Sequence, residues 1–283
     1  MYRRAGRSLP KGSLTVKPYF SDGLFTLYHG DCIQFLSTWD GPLWDLTVTS
    51  PPYNIGKSYE GRLSLEDYLD WSRRWIKEVY RTTAKNGAFW LNLGYTPIHP
   101  GGKAVPLPYL LWNASDFYLI QEIIWNYGAG VAGKKFFSPR NEKFLWYVKD
   151  HRDYTFNLDD VRDPNVKYPR QFKNGRLKVN PKGKNPSDVW HFPKVTSGQN
   201  RSSRERTSHP AQFPEAVIER VVKASSNSGD LVFDPFMGSG TTAVVASQLG
   251  RHVIGVELKE EYCEIAVRRY LASKKMGIQE ELL

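Results

Sequence analysis

Apolar residues along the chain follow two different periods. Short runs rich in β-branched and aromatic residues predict buried strands, which fall at residues 24–30, 44–49, 88–93, 118–126 and 143–148. Between the second and third of these runs, apolar residues recur at helical spacing and predict a helix over 64–84, which Ser64 is able to cap. A shorter apolar stretch predicts another helix over 107–115. The first half of the chain therefore alternates strands with helices.

The C-terminal quarter repeats this alternation more tightly. A helix that starts at Pro214 is followed by a predicted strand, helix, strand and helix at residues 230–234, 241–249, 253–257 and 260–273. Strands that alternate with helices are typical of an α/β fold, in which a mostly parallel, doubly wound sheet carries helices on both faces. We expect that fold class here.

The middle of the chain, from residue 150 to 209, is polar, rich in Pro, Gly and Asn, and nearly without periodicity. Its residues 167–206 contain eleven Lys and Arg but only two acids, Asp188 and Glu205. The whole chain has a formal net charge of +10, which favours a polyanionic partner, because Lys and Arg gain affinity by displacing counterions from phosphates. A long segment of this kind is either functional or a solvated loop.

Several protein classes are disfavoured by the composition. The two cysteines, Cys32 and Cys263, are far apart in the sequence, so neither a disulfide framework nor a zinc site is indicated, and we expect no metal. Arg3, Arg4 and Arg7 are not followed by an apolar run, and no stretch approaches the roughly 20 apolar residues of a membrane span. We therefore expect a cytoplasmic protein without a membrane partner.

A glycine-rich turn follows the predicted strand 230–234 in the sequence DPFMGSGTT, residues 234–242. Gly238 and Gly240 permit a tight backbone that places a ligand against the N-terminus of the next helix. Glu257 ends the following strand, at a spacing that suits an acid bonded to ribose hydroxyls. The pattern Gly238-x-Gly240-x-x-Ala243 also matches the loose dinucleotide fingerprint, so a nicotinamide-dependent dehydrogenase is an alternative at this point.

A second motif, Ser50-Pro51-Pro52-Tyr53, follows the predicted strand 44–49. Ligands bind at the carboxyl ends of strands in open α/β sheets. The Ser50 hydroxyl and the Pro51 carbonyl can both accept a hydrogen bond from an amino group, and Tyr53 offers a flat face on which a base can stack. The other interpretation of this motif is a Pro-Pro loop with a packed Tyr.

Together the two motifs resemble those of the amino-methyltransferases that act on DNA. SPPY is similar to the catalytic tetrapeptide of that family, of which DPPY and NPPY are variants, and DPFMGSGTT is similar to its cofactor motif. The catalytic motif precedes the cofactor motif, as in the β group of these enzymes. The resemblance implies a Rossmann-like methyltransferase fold with an inserted target-recognition region, and S-adenosylmethionine as cofactor.

The resemblance also assigns roles to residues. It makes the four residues of the SPPY motif, Ser50, Pro51, Pro52 and Tyr53, catalytic. Two shorter similarities, in Gly30-Asp31-Cys32 and in residues 209–214 (HPAQFP), extend the expected cofactor site. That site then comprises Asp31, Phe213, Asp234, Pro235, Phe236, Gly238, Ser239, Gly240, Thr241 and Glu257. Asp31 as a turn residue and Phe213 as ordinary core are the alternatives.

The same resemblance divides the chain into three parts and names its partners. Residues 20–150 form the catalytic half of the methyltransferase domain, residues 151–208 a basic target-recognition region, and residues 209–275 the cofactor-binding half. Double-stranded DNA is the expected partner, and a cognate restriction endonuclease and a second copy of the chain are further candidates. The candidate DNA-binding residues are Lys173, Arg176, Lys178, Lys182, Lys184, Arg201 and Arg204.

The expected reaction is methyl transfer, within DNA methylation and a restriction-modification system, to a base that is rotated out of the duplex. Ser in the first position of the tetrapeptide resembles the enzymes that methylate N4 of cytosine, whereas Asp there is more common in N6-adenine enzymes. Adenine is therefore the alternative base. An RNA or protein methyltransferase is a more distant alternative, because the enzymes that modify amide side chains typically carry NPPY and lack such a large basic insertion. An inactive DNA-binding module is another, which the intact Ser50, Tyr53, Asp234 and Glu257 argue against.

Overall fold

The computed structural model describes residues 17–56, 61–128, 130, 132–195 and 205–281. Within these residues the strands are β1 (Phe20–Ser21), β2 (Phe25–His29), β3 (Trp44–Thr49), β4 (Thr83–Leu93), β5 (Tyr95–Ile98), β6 (Gly102–Pro106), β7 (Tyr118–Asn126), β8 (Asn141–Val148), β9 (Phe172–Lys173), β10 (Arg176–Leu177), β11 (Val189–His191), β12 (Leu231–Asp234) and β13 (His252–Glu257). The helices are α1 (Cys32–Ser37), α2 (Leu65–Thr82), α3 (Pro108–Leu111), α4 (Glu215–Ser225), α5 (Thr241–Gln248) and α6 (Glu260–Glu281).

The main sheet of the described residues has nine strands in the order β1-β2-β13-β12-β3-β4-β8-β7-β11. Its centre, from β2 to β4, is parallel throughout, whereas β8 runs antiparallel to both β4 and β7. Strand β12 lies beside β3 although the two are far apart in sequence. The carboxyl ends of β2, β3, β12 and β13 therefore meet at one edge of the sheet, and the predicted mostly parallel α/β fold is confirmed.

Helices cover both faces of this sheet because its strands are apolar on both sides. On one face, the core joins Val48 and Trp90 of the sheet to apolar residues of α4, α5 and α6. On the other face, Trp44 stacks on Phe233 with ring centroids 4.4 Å apart, and α1 and α2 pack over them. Burial of both faces accounts for the continuous apolar runs from which the central strands were predicted.

Two features of the fold differ from the sequence-based expectation. Helix α3 spans four residues rather than the nine predicted over 107–115. Two small hairpins, β5–β6 and β9–β10, were not predicted, because strands of two to five residues are too short to show a period.

None of the described helices combines the length and apolar composition that a membrane span requires.

The polar middle segment is joined to the sheet at its C-terminal end. Strand β11 pairs in parallel with β7, and its Trp190 is buried. The Trp190 ring stacks on Trp90 of β4 at 5.7 Å, and Trp90 stacks in turn on Trp146 of β8 at 5.1 Å. The segment predicted as a target-recognition region therefore contributes a strand to the core.

Candidate active site

A cavity opens at the sheet edge where β2, β3, β12 and β13 end. Both sequence motifs line it, although they are about 180 residues apart. Its wall includes 14 residues of the regions that follow these strands: Gly30, Asp31, Cys32, Ser50, Pro51, Pro52, Asp234, Pro235, Phe236, Met237, Gly238, Ser239, Glu257 and Leu258. The fold thus brings together residues of the cofactor and SPPY motifs predicted from the sequence, although Tyr53 and Gly240 are not among the residues that line this cavity.

The two motifs are connected directly by a buried hydrogen bond. Thr49, the last residue of β3, donates from Oγ1 to Oδ1 of Asp234, the last residue of β12, at 2.6 Å. The other carboxylate oxygen accepts from Thr242 Oγ1 at 2.7 Å, and the Phe236 amide donates to Oδ1 at 3.1 Å. Asp234 thereby ties the end of β3 to the glycine-rich turn and to the start of α5.

Burial has a large effect on this carboxyl group. Asp234 is only 2% exposed, and desolvation raises its pKa from 3.8 to about 6, against the opposing effect of its three donors. At neutral pH the group is therefore ionised, and its charge is stabilised by the hydroxyls of Thr49 and Thr242 and by one backbone amide. A buried carboxylate held in this way depends on every one of its donors.

Glu257, at the end of β13, holds the glycine-rich turn from the other side. Its Oε2 accepts from the Gly238 amide at 2.8 Å, and its Oε1 accepts from the Lys259 amide at 2.9 Å. Burial raises the pKa of Glu257 as well. Since a carboxylate has about four acceptor positions, Glu257 keeps capacity to accept from ligand hydroxyls.

Backbone conformation favours glycine at two positions of this turn, and close packing requires it at one of them. Gly238 has φ +53°, and Gly240, which precedes α5, has φ +78°. A Cβ at Gly240 would lie 2.8 Å from the Cβ of Ala266, so a side chain there would also push α6 away from α5.

A residue that the sequence analysis did not identify fixes the same turn. Arg269 of α6 donates to the Ser239 carbonyl at 3.0 Å and to Thr241 Oγ1 at 2.9 Å, and it forms an ion pair with Glu215 at 2.6 Å. A lone Arg on the last helix has no sequence signal, because its partners are known only from the packing of α6 on α4 and α5.

The two shorter similarities identified residues that both line the cavity and have a local structural role. Asp31 caps α1, since its Oδ1 accepts from the Gln34 amide at 2.9 Å. Phe213 stacks on Phe144 at 6.0 Å, while its carbonyl accepts from Thr241. For both residues, the expected place in the cofactor site and the structural role are therefore compatible.

The SPPY motif is held by a network of side-chain hydrogen bonds. The Ser50 Oγ lies 2.9 Å from the Tyr53 hydroxyl, which donates to Oδ1 of Asn92 at 2.6 Å and lies 3.1 Å from Oε2 of Glu142. When the Tyr53 hydroxyl donates its hydrogen bond to Asn92, its oxygen can accept a hydrogen bond from the Ser50 hydroxyl. The lone pairs of Ser50, which lines the cavity, are then left as acceptors for a ligand.

Glu142 in this network is neutralised from the basic middle segment. Lys194 forms an ion pair with Oε1 of Glu142 at 2.6 Å and lies over the Tyr127 ring at 3.8 Å. Although burial opposes its charge, Glu142 and Tyr127 raise the pKa of Lys194. Asn92, Glu142 and Lys194 were all missed by sequence analysis, because they lie outside any motif.

The backbone around Tyr53 is fixed on three sides. The Pro52 carbonyl accepts from the Tyr68 hydroxyl of α2 at 2.8 Å. Asn54, at φ +57°, exchanges two hydrogen bonds with the backbone of Leu63. The Tyr53 ring lies so close to Gly94 that a Cβ at residue 94 would come within 2.8 Å of it.

The predicted DNA-binding cations fall into three groups. Lys182 and Lys184 form ion pairs with Asp159 and Asp163 at 3.0 and 3.1 Å. Three others, which have no ion pair within the described residues, are exposed on or next to the β9–β10 hairpin: Lys173, Arg176 and Lys178. The remaining two, Arg201 and Arg204, lie outside the described residues. Among the described side chains, no cluster of His, Cys, Asp or Glu is arranged to hold a metal ion.

Comparison with known proteins identifies the family. The profile of the DNA methylase family matches residues 44–268. The chain belongs to this family. The match sets aside the dehydrogenase alternative for the glycine-rich turn.

Three relatives illustrate the range of similarity. Type II methyltransferase M.ScaI of Streptomyces caespitosus is 62% identical over 253 residues, which cover 89% of this chain and 83% of that protein. DNA adenine methyltransferase YhdJ of Escherichia coli (strain K12) is 32% identical over 259 residues, or 88% of this chain and 84% of that protein. The structure of the PvuII DNA methyltransferase (cytosine-N4-specific) matches with a TM-score of 0.70 and 21% identity, over 90% of this chain and 89% of that one, which is a likeness of fold.

Thr49→Val tests the bond between the motifs. We expect a loss of about 1–3 kcal/mol in unfolding free energy at pH 8, because the ionised Asp234 loses a buried donor. The loss shrinks at pH 5, below the Asp234 pKa of about 6, where the carboxyl group is protonated and needs its donors less. Urea denaturation at both pH values measures the difference.

Thr47→Val is the matched control for this experiment. Thr47 is buried in the same strand, and its hydroxyl has no hydrogen-bond partner in the described part of the chain. We expect this change to be neutral or stabilising at both pH values. Equal losses for Thr49→Val at pH 5 and pH 8 would show that its hydroxyl does not stabilise the ionised form of Asp234.

Proposed function

We propose that the protein transfers a methyl group from S-adenosylmethionine to the exocyclic N4 of cytosine, at a specific sequence in duplex DNA. The observation that carries this proposal is one cavity that is lined both by Ser50, Pro51 and Pro52 of the SPPY motif and by the glycine-rich turn and Glu257. A methyl donor and an amino acceptor must meet within a few ångströms, and this arrangement brings their expected binding motifs to one edge of the sheet.

The residues of the cavity fit S-adenosylmethionine. Its aromatic and apolar wall includes Trp71, Pro235, Phe236 and Tyr262, which suit a flat base and an apolar chain. The carboxylates of Asp31 and Glu257 suit ribose hydroxyls and a ligand that carries positive charge. When bound, the cofactor supplies an electrophilic methyl group on a sulfonium.

Residues of the SPPY motif hold and orient the base that accepts the methyl group. Ser50 Oγ and the Pro51 carbonyl accept hydrogen bonds from the amino group of a base that has been rotated out of the duplex. These bonds draw the nitrogen lone pair out of conjugation with the ring and direct it into the cavity. The Tyr53 ring supports the base by stacking. The amino nitrogen would gain the methyl group as the carbon–sulfur bond breaks, and the methylated nitrogen would then release one proton to water. Positioning supplies most of the rate enhancement, since no nucleophilic side chain or metal is required.

The choice of cytosine rests on Ser50. Its neutral hydroxyl resembles the tetrapeptide of N4-cytosine enzymes rather than the Asp of many N6-adenine enzymes. Adenine is the second candidate, because YhdJ is a DNA adenine methyltransferase and is 32% identical.

DNA affinity is assigned chiefly to the β9–β10 hairpin. Lys173 and Arg176 lie directly opposite each other across its two strands. Like charges in a cross-strand pair destabilise a hairpin on its own, but phosphates would neutralise both of them. Lys182 and Lys184 contribute less in this proposal, since each already pairs with an Asp.

The cellular setting is also part of the proposal. M.ScaI is a Type II methyltransferase, so a role in a restriction-modification system with a cognate endonuclease is consistent with the 62% identity. We also assign the protein to the cytoplasm, where a DNA substrate would be present. A homodimer is the proposed oligomeric state.

Incubation of plasmid DNA with radiolabelled S-adenosylmethionine tests the reaction. Digestion to nucleosides and mass spectrometry should reveal N4-methylcytosine, and mapping of the label should give one recognition sequence. N6-methyladenine would retain the mechanism and correct the base. DNA without label, across plasmids of diverse sequence, would contradict the proposed function.

Tyr53 variants separate the hydroxyl from the ring. We expect Tyr53→Phe to lower kcat about tenfold, because Ser50 loses a hydrogen-bond acceptor worth on the order of 1 kcal/mol. Tyr53→Ala should lower it by a further factor of about ten or more, because base–aromatic stacking contributes about 1–3 kcal/mol. Cofactor binding, measured by calorimetry, should change little in either variant. Unchanged turnover in both would remove Tyr53 from the base site.

Paired double variants test the assignment of the cations. Lys173→Ala with Arg176→Ala should reduce the slope of log Kd against log salt by about two, since each phosphate contact contributes about 0.9. Lys182→Ala with Lys184→Ala removes the same charge but should reduce the slope by less than about one. Fluorescence anisotropy with a duplex carrying the mapped site gives both slopes. Equal slopes would mean that the ion pairs with Asp159 and Asp163 do not determine which cations bind DNA.

A further inference from the structure

An exposed loop between β7 and β8 lies on the same edge of the sheet as the SPPY motif. Thr49, which precedes the motif, pairs with Leu91 near the end of β4. Strand β8 runs antiparallel to β4, so its first residues lie beside the last residues of β4. The connecting loop, of which residues 127, 128, 130 and 132–140 are described, enters β8 at this edge.

The outstanding feature of this loop is Phe137, whose side chain is fully exposed at 101% relative accessibility. Its neighbour Phe136 is half exposed, and Lys103 from the β5–β6 hairpin lies 4.0 Å over the Phe136 ring. A fully exposed Phe is a cost in water, since its large apolar surface gains nothing from hydration. The SPPY chemistry makes no use of it.

The surroundings of Phe137 are cationic. Lys134, Lys135 and Arg140 flank it in the loop, and Lys103 adds a charge from the hairpin. Neither residues 127–140 nor residues 94–115 contain an Asp or Glu. Phe137 thus forms an apolar tip, and the surrounding Lys and Arg residues form a positively charged rim. This combination fits a polyanion that also offers a flat apolar surface, as stacked bases between phosphates do.

One hydrogen bond joins the two ends of the loop, and another lies within it. The Tyr127 amide donates to the Arg140 carbonyl at 3.0 Å, and the Gly133 amide donates to Ser138 Oγ at 2.8 Å. Glu142, two residues beyond the loop, lies 3.1 Å from the Tyr53 hydroxyl. The position of the loop is therefore coupled to that of the base-handling motif.

We propose that Phe137 enters the duplex beside the target base and fills the space that the base leaves when it rotates out of the stack, while Lys134 and Lys135 bind the adjacent phosphates. This inference rests on the proposed function. An apolar side chain inserted at a base step recovers stacking that base rotation loses. A second copy of the chain is a poorer occupant, because it would bring the same net positive charge to this rim.

The test compares Phe137→Ala with Tyr118→Ala on two duplexes that carry the mapped site. Tyr118 is 52% exposed at the start of β7, on the opposite edge of the sheet, and serves as the control. One duplex is fully paired, and in the other the target base is mismatched, so that rotating it out costs less. We expect Phe137→Ala to lower kcat/KM about 30-fold on the paired duplex and about threefold or less on the mismatched one. Tyr118→Ala should match wild type on both.

A second measurement addresses the phosphates. Lys134→Ala with Lys135→Ala should reduce the slope of log Kd against log salt by about two. Equal loss of kcat/KM for Phe137→Ala on the two duplexes, or no loss on either, overturns the proposal. A change from dimer to monomer in sedimentation, with the ratio between duplexes unaltered, would overturn it in favour of a second copy. Failure of the wild-type enzyme on both duplexes would instead overturn the proposed function on which it rests.

Discussion

The hydrogen bond from Thr49 to Asp234 is the constraint on which the site depends. It closes the junction between β3 and β12, whose neighbouring residues Thr47 and Phe233 are paired in register. The SPPY turn begins one residue after Thr49, and the glycine-rich turn begins at Asp234 itself. A shift of one residue between these strands would turn the buried side chains to the other face and separate the two halves of the cavity.

A second network extends from the SPPY turn into the rest of the molecule. Ser50, Tyr53 and Asn92 share hydrogen bonds, and Glu142 connects them to Lys194. Lys194 belongs to the basic middle segment, so that segment stabilises a partly buried carboxylate beside the SPPY motif. Removing a partner from such a pair leaves an uncompensated charge, which costs more than the pair contributes. The segment therefore bears on the geometry of Tyr53, in addition to the DNA contacts assigned to it in the proposed function.

Much of this arrangement could be predicted from the sequence, for reasons that are local. The central strands are buried on both faces and appear as apolar runs, and the two motifs follow such strands directly. Asn92, Glu142 and Arg269 could not be predicted, because their roles depend on which strands and helices become neighbours. Hairpins as short as β9–β10 show no period, and the Asn-Gly turn at residues 174–175, with both residues at positive φ, was their one local signal.

The basic segment shows why a count of charges along a chain differs from the field that a ligand meets. Residues 167–206 contain eleven cations and two acids, yet Lys182, Lys184 and Lys194 each pair with an acid that precedes the segment. Those acids, Asp159, Asp163 and Glu142, are brought in by the fold. Coulomb energy falls with distance and is screened within about 10 Å, so spatial neighbours decide which charges are available. Within the described part of this segment, Lys173, Arg176 and Lys178 on or next to the β9–β10 hairpin form no ion pair, and neither do Lys167 and Arg170 just before it. In the proposed function, these are the positions at which a phosphate backbone would gain most.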